Sequence, residues 1–447
     1  MNRRPIAIAL LAFGALVFLA CGGASGKGSE TTTAPPARDG AVAAASGAWT
    51  TFGGGSARSG VAHGAPVTPS LQRRFARSLD GEVYAQPLIA GGRIYVATEN
   101  NSVYAFTTSG RQLWRRHLGA PVPGGDLPCG NIDPSGITGT PVISRGRLFA
   151  VAFLRSGHRH VLFGLRLSSG RVAVRARVDP ANRLVEQQRG ALLVAHGRLY
   201  VPYGGLFGDC GPYRGFVIST TTSGGHRITY RNPATEAGIW APAGISAQAG
   251  TLLVGTGNGG AGAFGYQNSV IRLSPGLRRL GYWAPRDWRA LSDGDVDEGS
   301  LAPLPVTGGR VLQIGKNGVG YLLGHGLGGV GAEQFSKRLC GGGAFGAAAF
   351  RAPLAIVPCG GSLYGLRIEG ASFSVAWSSA AGGVPVIAGN SVFSLTRDGT
   401  LVQLRLRDGH RIAAVHVGSG ATSFPAPAAA GRLLVAPAGR SIVAFGL

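Results

Sequence analysis

One four-strand phrase recurs along the chain, and this repeat constrains the fold more than any other feature. The clearest copy is Gln86–Gly119, where apolar and polar residues alternate in the second and third strands. Gly, Asn and Ser-Gly turns, which tolerate positive φ, separate the strands. Further copies begin at Thr140, Gly190, Ala243, Ala302, Gly346 and Val384, and a final copy has only three strands. The repeat predicts an all-β protein built from four-stranded units.

The repeat length indicates how these units are arranged. Residues 70–447 divided among eight copies give about 47 residues per unit, within the ~40–50 residues typical of propeller blades. Leu71–Leu79 is a strand-like segment before the first full copy, and it can supply the outer strand that the last copy lacks. Radial closure leaves only short, protected sheet edges. We therefore predict one eight-bladed β-propeller closed by an N-terminal strand, with seven blades as the alternative.

Composition agrees with this fold and excludes several others. The 447 residues are 45% hydrophobic, which excludes a disordered chain. The 76 glycines follow no G-X-Y period, so collagen is excluded. Charged residues make up only 14% of the chain, whereas long helices favour Ala, Leu, Glu and Lys. Many short strands joined by tight turns fit these values best.

The net charge of +23 arises almost entirely from arginine, because the only lysines are Lys27, Lys316 and Lys337. Abundant Arg, Gly and Ala together are typical of a compositional bias, and we interpret the charge in this way. Attraction to a polyanion, such as anionic lipid or a wall polymer, is the functional alternative. No basic run reaches five residues and no nucleic-acid motif occurs, so no nucleic-acid partner is expected.

The N-terminus has the features of an export signal. Asn2-Arg3-Arg4 precedes an uncharged run, Ile6–Ala20, of 15 residues, whereas a membrane-spanning helix needs ~20. The run ends in Phe18-Leu19-Ala20-Cys21-Gly22, which resembles the bacterial lipoprotein signal, in which the cysteine carries the lipid. The resemblance implies a signal peptide at 1–20, a lipidated Cys21 on a flexible tether at 21–47, and a propeller at 48–447. The protein is then extracytoplasmic and anchored to the cell membrane; an ordinary cleaved signal is the alternative.

Four cysteines follow Cys21, namely Cys129, Cys210, Cys340 and Cys359. An even number of cysteines outside the cytosol predicts two disulfides, for which three connectivities exist. Repeats stacked in chain order bring neighbouring segments together, so we favour Cys129–Cys210 and Cys340–Cys359. The cysteine and histidine spacings do not indicate zinc.

The turn Thr108–Trp114, "TSGRQLW", resembles the blade repeat of the PQQ-like, or quinoprotein, propellers. In that family the glycine forms the hairpin turn and the tryptophan packs between blades. The resemblance covers residues 70–447 and implies the fold. It includes both quinoprotein alcohol dehydrogenases and BamB-type assembly propellers, which bind no quinone, and so leaves function open. Trp114, Trp240 and Trp377 are expected in the core between blades.

The middle of the chain resembles the alcohol dehydrogenases more closely. Gly255–Asn258 matches a "GTGN" turn whose Asn binds calcium, and Asp287–Ser300 lies where a "D-x-D" segment supplies the catalytic Asp. A hard cation bound by Asn and Asp oxygens would polarise the quinone carbonyl while an Asp removes the alcohol proton. For an enzyme, the resemblance implies catalytic Asp295 and Asp297, quinone-binding Lys316 and Trp240, and calcium ligands Asn258, Asp209 and Asp297.

Three departures argue against a bound quinone. The adjacent cysteine pair over the quinone is replaced by Cys129-Gly130, and the Arg that follows is replaced by Asp133–Gly136. The dehydrogenases have a tryptophan that stacks under the quinone, expected near Trp240, but in the alignment Pro242 takes its position. We therefore expect no catalytic, cofactor or metal residues, and neither PQQ nor calcium.

Each candidate residue then has a structural interpretation. Asn258 is interpreted as a turn residue that caps the backbone, and Lys316 as the partner of a carboxylate on a neighbouring blade. The acidic segment containing Asp293, Asp295 and Asp297 is interpreted as a solvated turn. An EF-hand is excluded, because its Gly and final Glu positions hold Glu298 and Leu304. His158 and His160 are interpreted as part of a solvated hairpin.

The sequence thus favours a non-catalytic, lipid-anchored propeller that binds a protein or an anionic envelope polymer on its face. The alternative is a PQQ- and calcium-dependent dehydrogenase that oxidises alcohols or sugars.

The lipoprotein assignment makes a direct prediction for Cys21. Because alanine cannot carry the lipid, the Cys21→Ala protein should move from the membrane fraction to the soluble fraction after cell breakage. Immunoblotting of the two fractions measures this, and unchanged membrane retention would contradict the assignment.

Overall fold

The computed structural model describes residues 47–260, 262–418, 424 and 426–447, and its architecture is eight antiparallel sheets that follow one another along the chain. The predicted signal peptide, Cys21 and nearly all of the predicted tether lie outside the described residues. None of the helices in the described ranges has the length and hydrophobicity that a membrane crossing requires.

Each blade has four strands, ordered from the central channel outward. Blade 1 consists of Leu88–Ala90, Arg93–Ala97, Ser102–Thr107 and Gln112–His117. Blade 2 consists of Val142–Ser144, Arg147–Leu154, Arg159–Arg166 and Val172–Arg177. Blade 3 consists of Leu193–Ala195, Arg198–Gly205, Phe216–Thr221 and Ile228–Arg231, with Glu186–Gln187 paired to its second strand. Blade 4 consists of Ser246–Gln248, Thr251–Gly255, Val270–Leu273 and Arg279–Ala284, with Gly329–Val330 added at its outer edge.

The second half of the ring repeats this plan. Blade 5 consists of Leu304–Pro305, Val311–Ile314, Val319–Leu323 and Glu333–Arg338. Blade 6 consists of Ala349–Arg351, Leu354–Cys359, Ser362–Glu369 and Ser372–Ser379. Blade 7 consists of Val386–Ala388, Ser391–Leu395, Thr400–Arg405 and Arg411–His416, with Val61–Ala62 at its inner edge. Blade 8 consists of Ala428–Ala430, Leu433–Pro437, Ser441–Gly446 and Gln72–Ser78. The described helices are Trp288–Asp293 (α) and Gly124–Asp126, Glu298–Ser300 and Thr307–Gly309 (3-10).

The first long strand of the chain closes the ring. Gln72–Ser78 pairs antiparallel with Ser441–Gly446, so that Phe75 lies opposite Ala444 and Ser78 opposite Ser441. The last blade therefore takes its outer strand from the N-terminal part of the chain, and the predicted eight-bladed propeller is confirmed.

Neighbouring blades are joined by a turn glycine that packs on an aromatic ring. Gly170 of blade 2 lies over Trp114 of blade 1, where an added Cβ would be 2.6 Å from the ring. Trp114 Nε1 also donates a 3.0 Å hydrogen bond to the carbonyl of Leu167 in the same turn. Gly409 lies over Trp377 in the same way. The structure thus confirms the inter-blade positions predicted for Trp114 and Trp377.

A segment with no strand pattern in the sequence, residues 49–63, fills the central channel; we call it the plug. Its backbone bonds to the inner strands of several blades, through contacts such as Ile143 N to Thr50 O at 2.7 Å and Phe350 N to Ser59 O at 2.7 Å. The Phe52 ring packs in a buried cluster of small residues from blades 3 to 8, comprising Ala191, Ala241, Ala243, Ala302, Ala347, Val384 and Ala426. The plug pairs polar backbone groups that would otherwise face the channel.

Arg58 holds the plug in place without an acidic partner. It is 2% exposed, and its guanidinium donates to the carbonyls of Phe52, Leu192 and Ile245, each at 2.9 Å. Burial lowers its pKa to about 9, so the group stays charged at neutral pH. These bonds connect the plug to blades 3 and 4.

The blade topology defines two faces. The turns that join strands 2 and 3, together with the links between blades, lie on the front face. The turns that join strands 1 and 2, and strands 3 and 4, lie on the back face.

Ring closure and the plug predict graded effects of N-terminal deletions. Removing residues 22–46 should leave the unfolding midpoint unchanged. Removing 22–68 also deletes the plug and Phe52, whose burial alone is worth ~3–5 kcal/mol. Removing 22–80 also opens the ring and should abolish cooperative unfolding, because the lost contacts exceed the ~5–15 kcal/mol that stabilises a typical domain. Urea unfolding followed by tryptophan fluorescence measures the series; equal stability of the second and third deletions would contradict closure by Gln72–Ser78.

Candidate functional site

A pocket of about 350 Å³ opens on the front face. Seven residues singled out from the sequence line it together: Asp209, Trp240, Pro242, Asn258, Asp295, Asp297 and Lys316. They come from the links and strand 2–3 turns of blades 3, 4 and 5, which converge there. A larger depression of about 570 Å³ lies beside Arg115 and His117 at the outer edge of blade 1, away from these residues.

An ion pair between blades 4 and 5 forms one wall of this pocket. Asp297 lies in the link that precedes blade 5, and Lys316 follows the second strand of that blade. The Lys316 ammonium is 2.6 Å from Asp297 Oδ2. Asp297 Oδ1 accepts a 2.8 Å bond from the Asn258 backbone amide and a 3.4 Å bond from the Trp240 indole. Both oxygens of the Asp297 carboxylate therefore have partners.

Burial and charge act against each other in this pair. Asp297 is 5% exposed, and burial raises its pKa, although Lys316, the Asn258 amide and the indole act to lower it. Burial lowers the pKa of the Lys316 ammonium, but Asp297 and Asp295 outweigh this effect and raise it above the ordinary value. Lys316 is therefore positively charged at neutral pH. This agrees with the prediction that Lys316 pairs with a carboxylate.

The interpretation of the acidic segment as solvated holds for Asp293 and Asp295, which are exposed, and is wrong for Asp297. Asp297 is buried, whereas the Asp295 side chain is 67% exposed and its Oδ1 lies 3.1 Å from Lys316 Nζ. The predicted backbone cap by Asn258 is also wrong. Its side chain faces the pocket and bonds to no other described residue, while its backbone binds Asp297 and Ala237.

Trp240 is a pocket residue, and its prediction as inter-blade core is wrong. It lies beside the Arg189 guanidinium, whose carbon is 5.3 Å from the ring centroid. Pro242 lines the same pocket, so an aromatic ring and a proline lie side by side in its wall.

Arg189 and Tyr213 add polar groups that sequence reasoning did not find. Arg189 Nη2 donates to the Gly205 carbonyl at 2.9 Å, and its buried Nε has no partner among the described residues. The Tyr213 hydroxyl donates to Asp209 Oδ1 at 2.6 Å. Burial, followed by the bond to Asp209, raises the Tyr213 pKa far above its ordinary value, so this hydroxyl keeps its proton.

The front mouth of the pocket is aromatic. Phe345 and Phe424 stack with their ring centroids 5.6 Å apart, and both line the pocket. Phe207 is 60% exposed on the same lining. These three residues lie in links and turns of different blades with no shared motif, so only the fold brings them together.

Both predicted disulfides are confirmed. Cys129 pairs with Cys210 at a Cα separation of 6.1 Å, and Cys340 pairs with Cys359 at 5.9 Å. The first bond joins the link before blade 2 to the turn that carries Asp209, beside the pocket. It crosslinks two loops and forms no ring between adjacent cysteines. Two disulfides are typical of an extracytoplasmic protein.

One histidine interpretation also needs correction. His160 is 1% exposed, and its ring stacks on Phe153 with centroids 4.1 Å apart. Burial lowers its pKa to about 3, so it is a neutral core residue and not part of a solvated hairpin. His158 is partly exposed and lies 3.7 Å from Asp126.

The residues do not fit a calcium-bound quinone. Calcium prefers six to eight converging oxygen ligands. Both Asp297 oxygens are engaged, Asp209 Oδ1 holds the Tyr213 hydroxyl, and no group of three acidic, His or Cys side chains with metal-site spacing occurs in the described chain. The Lys316 ammonium supplies the positive charge at Asp297 that the metal would supply. Trp240 offers an aromatic face, but Arg189 lies over its ring.

Comparisons with known proteins agree with the fold. Residues 72–202, less than a third of the chain, match the family model described as outer membrane protein assembly factor BamB. No curated protein sequence matches the chain. The quinohemoprotein alcohol dehydrogenase of Comamonas testosteroni is similar in structure, with a TM-score of 0.69 at 17% identity over 89% of this chain and 80% of that one.

Two further solved structures are similar. The alcohol dehydrogenase ADHIIG of Pseudomonas putida HK5 has a TM-score of 0.68 at 15% identity, covering 90% of this chain and 80% of its own. BamB of Moraxella catarrhalis has a TM-score of 0.59 at 13% identity, covering 85% of this chain and all of its own. Identities this low show the fold alone. The similarity to PQQ-like propellers that the sequence predicted is thus supported by the family-model match over residues 72–202 and by the shared fold, which both enzymes and an assembly factor have.

The ion pair makes a prediction about stability. Lys316→Ala leaves a buried carboxylate without its cation and should lower the free energy of unfolding by ~2–4 kcal/mol. Adding Asp297→Asn removes the stranded charge and should recover part of the loss. Lys337→Ala, at an exposed lysine of blade 5, is the matched control and should change stability by less than ~0.5 kcal/mol. Urea unfolding measures all three; equal values for Lys316→Ala and Lys337→Ala would contradict the pairing.

Proposed function

We propose that this protein is a non-catalytic binding propeller of the cell envelope, anchored through a lipid on Cys21, which recognises a partner through its front pocket. The partner is a protein or an envelope polymer. The proposal rests on the Asp297 carboxylate, because both of its oxygens already have partners. Lys316 lies 2.6 Å from Oδ2, and the Asn258 backbone amide donates to Oδ1 at 2.8 Å.

A general base must be free to take a proton from its substrate. In the dehydrogenase alternative Asp297 is the base or a calcium ligand, and either role requires an oxygen that Lys316 and Asn258 already bind. Asp295 also pairs with Lys316, at 3.1 Å from its Oδ1, and its side chain is 67% exposed, where water competes for any proton it accepts. The pocket therefore supports binding better than it supports oxidation.

The pocket lining suits recognition of a partner side chain or sugar. Aromatic groups surround its mouth at Phe207, Phe345 and Phe424, and charged groups of both signs line its interior. Aromatic residues around a few placed polar groups are typical of binding sites. The match of residues 72–202 to an assembly-factor family model points in the same direction.

Quinone binding separates this proposal from its alternative. Exported protein incubated with PQQ and calcium, then passed over a desalting column, should retain no quinone absorbance. Isothermal titration should give a dissociation constant weaker than micromolar, and added alcohols or sugars should reduce no electron-accepting dye. Micromolar or tighter PQQ binding that is lost in both Asn258→Ala and Lys316→Ala would contradict the proposal and establish the enzyme.

A photocrosslinking amino acid tests directly whether the pocket contacts a partner. Placed at Phe207 on the pocket rim, it should yield an adduct in intact cells that disappears when Trp240→Ala alters the pocket. The matched control is Val375, 38% exposed on the outer strand of blade 6, where no adduct should form. Identical adducts at both positions would mean that the pocket does not select a partner.

A further inference from the structure

The back face of the propeller carries a segregated positive charge. In the described chain, the segments joining strands 1 and 2 and strands 3 and 4, taken with the strand residues that flank them, contain an arginine in every blade. The full set is Arg93, Arg111, Arg145, Arg147, Arg166, Arg171, Arg198, Arg227, Arg278, Arg279, Arg310, Arg351, Arg405, Arg407, Arg411 and Arg432. Every one of these residues is at least partly exposed.

Acidic residues avoid this face. Within the described ranges only Glu333, Glu369 and Asp408 lie in the back-face segments, and Asp408 already pairs with Arg405 and Arg407. All other described acidic residues lie in front-face turns or links. A uniform excess of arginine in the composition would not sort the acidic residues in this way. The molecule is therefore electrically polarised from front to back.

Blade 2 places like charges together. Arg147 and Arg166 lie directly opposite each other on neighbouring antiparallel strands. Like charges at such positions are expected to destabilise a sheet. No ion pair to a described residue offsets the repulsion at Arg147 or Arg166, or at the adjacent turn residues Arg145 and Arg171. Four arginines without a described acidic partner thus belong to one blade's back-face segments.

Exposed apolar side chains accompany the arginines. Val172 is 44% exposed beside Arg171, and Ile412 is 49% exposed beside Arg411. Val67, which follows the plug and accepts a 2.7 Å bond from the back-face turn residue Asn390, is 70% exposed. Basic groups interleaved with exposed apolar groups are typical of surfaces that lie on a membrane interface.

The described chain also begins on this face. Gly47 lies beside Gly431, in the turn between the first two strands of blade 8, and His63 O accepts a bond from Gly431 N at 3.2 Å. The described chain therefore enters the propeller on the arginine side. This entry point is independent of the charge distribution.

We propose that the back face binds the surface of a membrane rich in anionic phospholipid, so that the pocket faces away from the bilayer. The arginines are spread over all eight blades and follow no single groove, which suits a planar array of headgroups better than one linear polymer. Anionic leaflets attract basic residues over about a Debye length. This inference concerns a surface separate from the pocket and stands whether or not the pocket binds a partner.

Vesicle binding tests the proposal with the purified exported protein. It is mixed with vesicles of phosphatidylcholine alone, or of phosphatidylcholine with phosphatidylglycerol, and the sedimented fraction is measured at low and high salt. A lipid on Cys21 would insert into both kinds of vesicle, so the ratio of the two affinities is the readout. The ratio should strongly favour phosphatidylglycerol at low salt and fall as salt is added.

Two charge-matched triple variants localise the effect. Arg145→Gln, Arg166→Gln and Arg171→Gln remove back-face charge; at roughly fivefold per arginine, they should reduce the ratio roughly a hundredfold. Arg159→Gln, Arg289→Gln and Arg338→Gln remove the same charge from the front-face ends of strands and from a front-face link, and should leave the ratio unchanged. Thermal unfolding by circular dichroism shows that both variants are folded.

Three outcomes would overturn the proposal. If both variants lost the same share of the affinity ratio, net charge alone, and not the back face, would explain the preference for phosphatidylglycerol. A wild-type affinity ratio near one that does not change with salt would show that the protein has no preference for anionic lipid, and this result needs no variant. Tight binding of soluble polyphosphate that depends on the back-face arginines, with no preference among vesicles, would assign the face to a linear polyanion.

Discussion

The pairing of Gln72–Ser78 with Ser441–Gly446 is the contact on which the rest of the structure depends. Each blade packs only against its two neighbours, so an open ring would expose one blade face and one sheet edge. Closure also fixes where the plug must run, because the residues just before Gln72 have to reach the outer edge of blade 8 from the axis. The plug then pairs inner-strand backbone groups and places Phe52 on the axis among small side chains.

The fold could be predicted because its signals are local and repeated. Alternating strands, glycine turns and a missing last strand specified both the blade and its closure, and Trp114 and Trp377 lie between blades as expected. The plug could not be predicted. Residues 49–63 have no alternation, and they are ordered by hydrogen bonds to strands far away in the chain, such as Ile143 N to Thr50 O.

The pocket was predictable only where a motif marked it. Asn258, Asp297 and Lys316 lie in recognisable phrases, and the fold brings them together. Arg189, Phe345 and Phe424 come from links of different blades, and nothing in their neighbourhood sets them apart. The pairing of Asp297 with Lys316 also supports the proposed binding role, since Lys316 lies 2.6 Å from the carboxylate that a metal or a proton transfer would use. Charge followed the same rule: the excess of arginine is visible in composition, whereas the concentration of acidic residues on the front face, which leaves the back face positive, exists only in the folded chain.

We propose that Lys316, and not a metal ion, is the partner of the Asp297 carboxylate. A crystal structure of the exported protein grown with calcium and PQQ is the direct test. We expect electron density for Lys316 Nζ within hydrogen-bond distance of Asp297 Oδ2, and no metal among Asp209, Asn258 and Asp297. A calcium ion bound by those three residues beneath a quinone stacked on Trp240, with Lys316 turned away from Asp297, would contradict it.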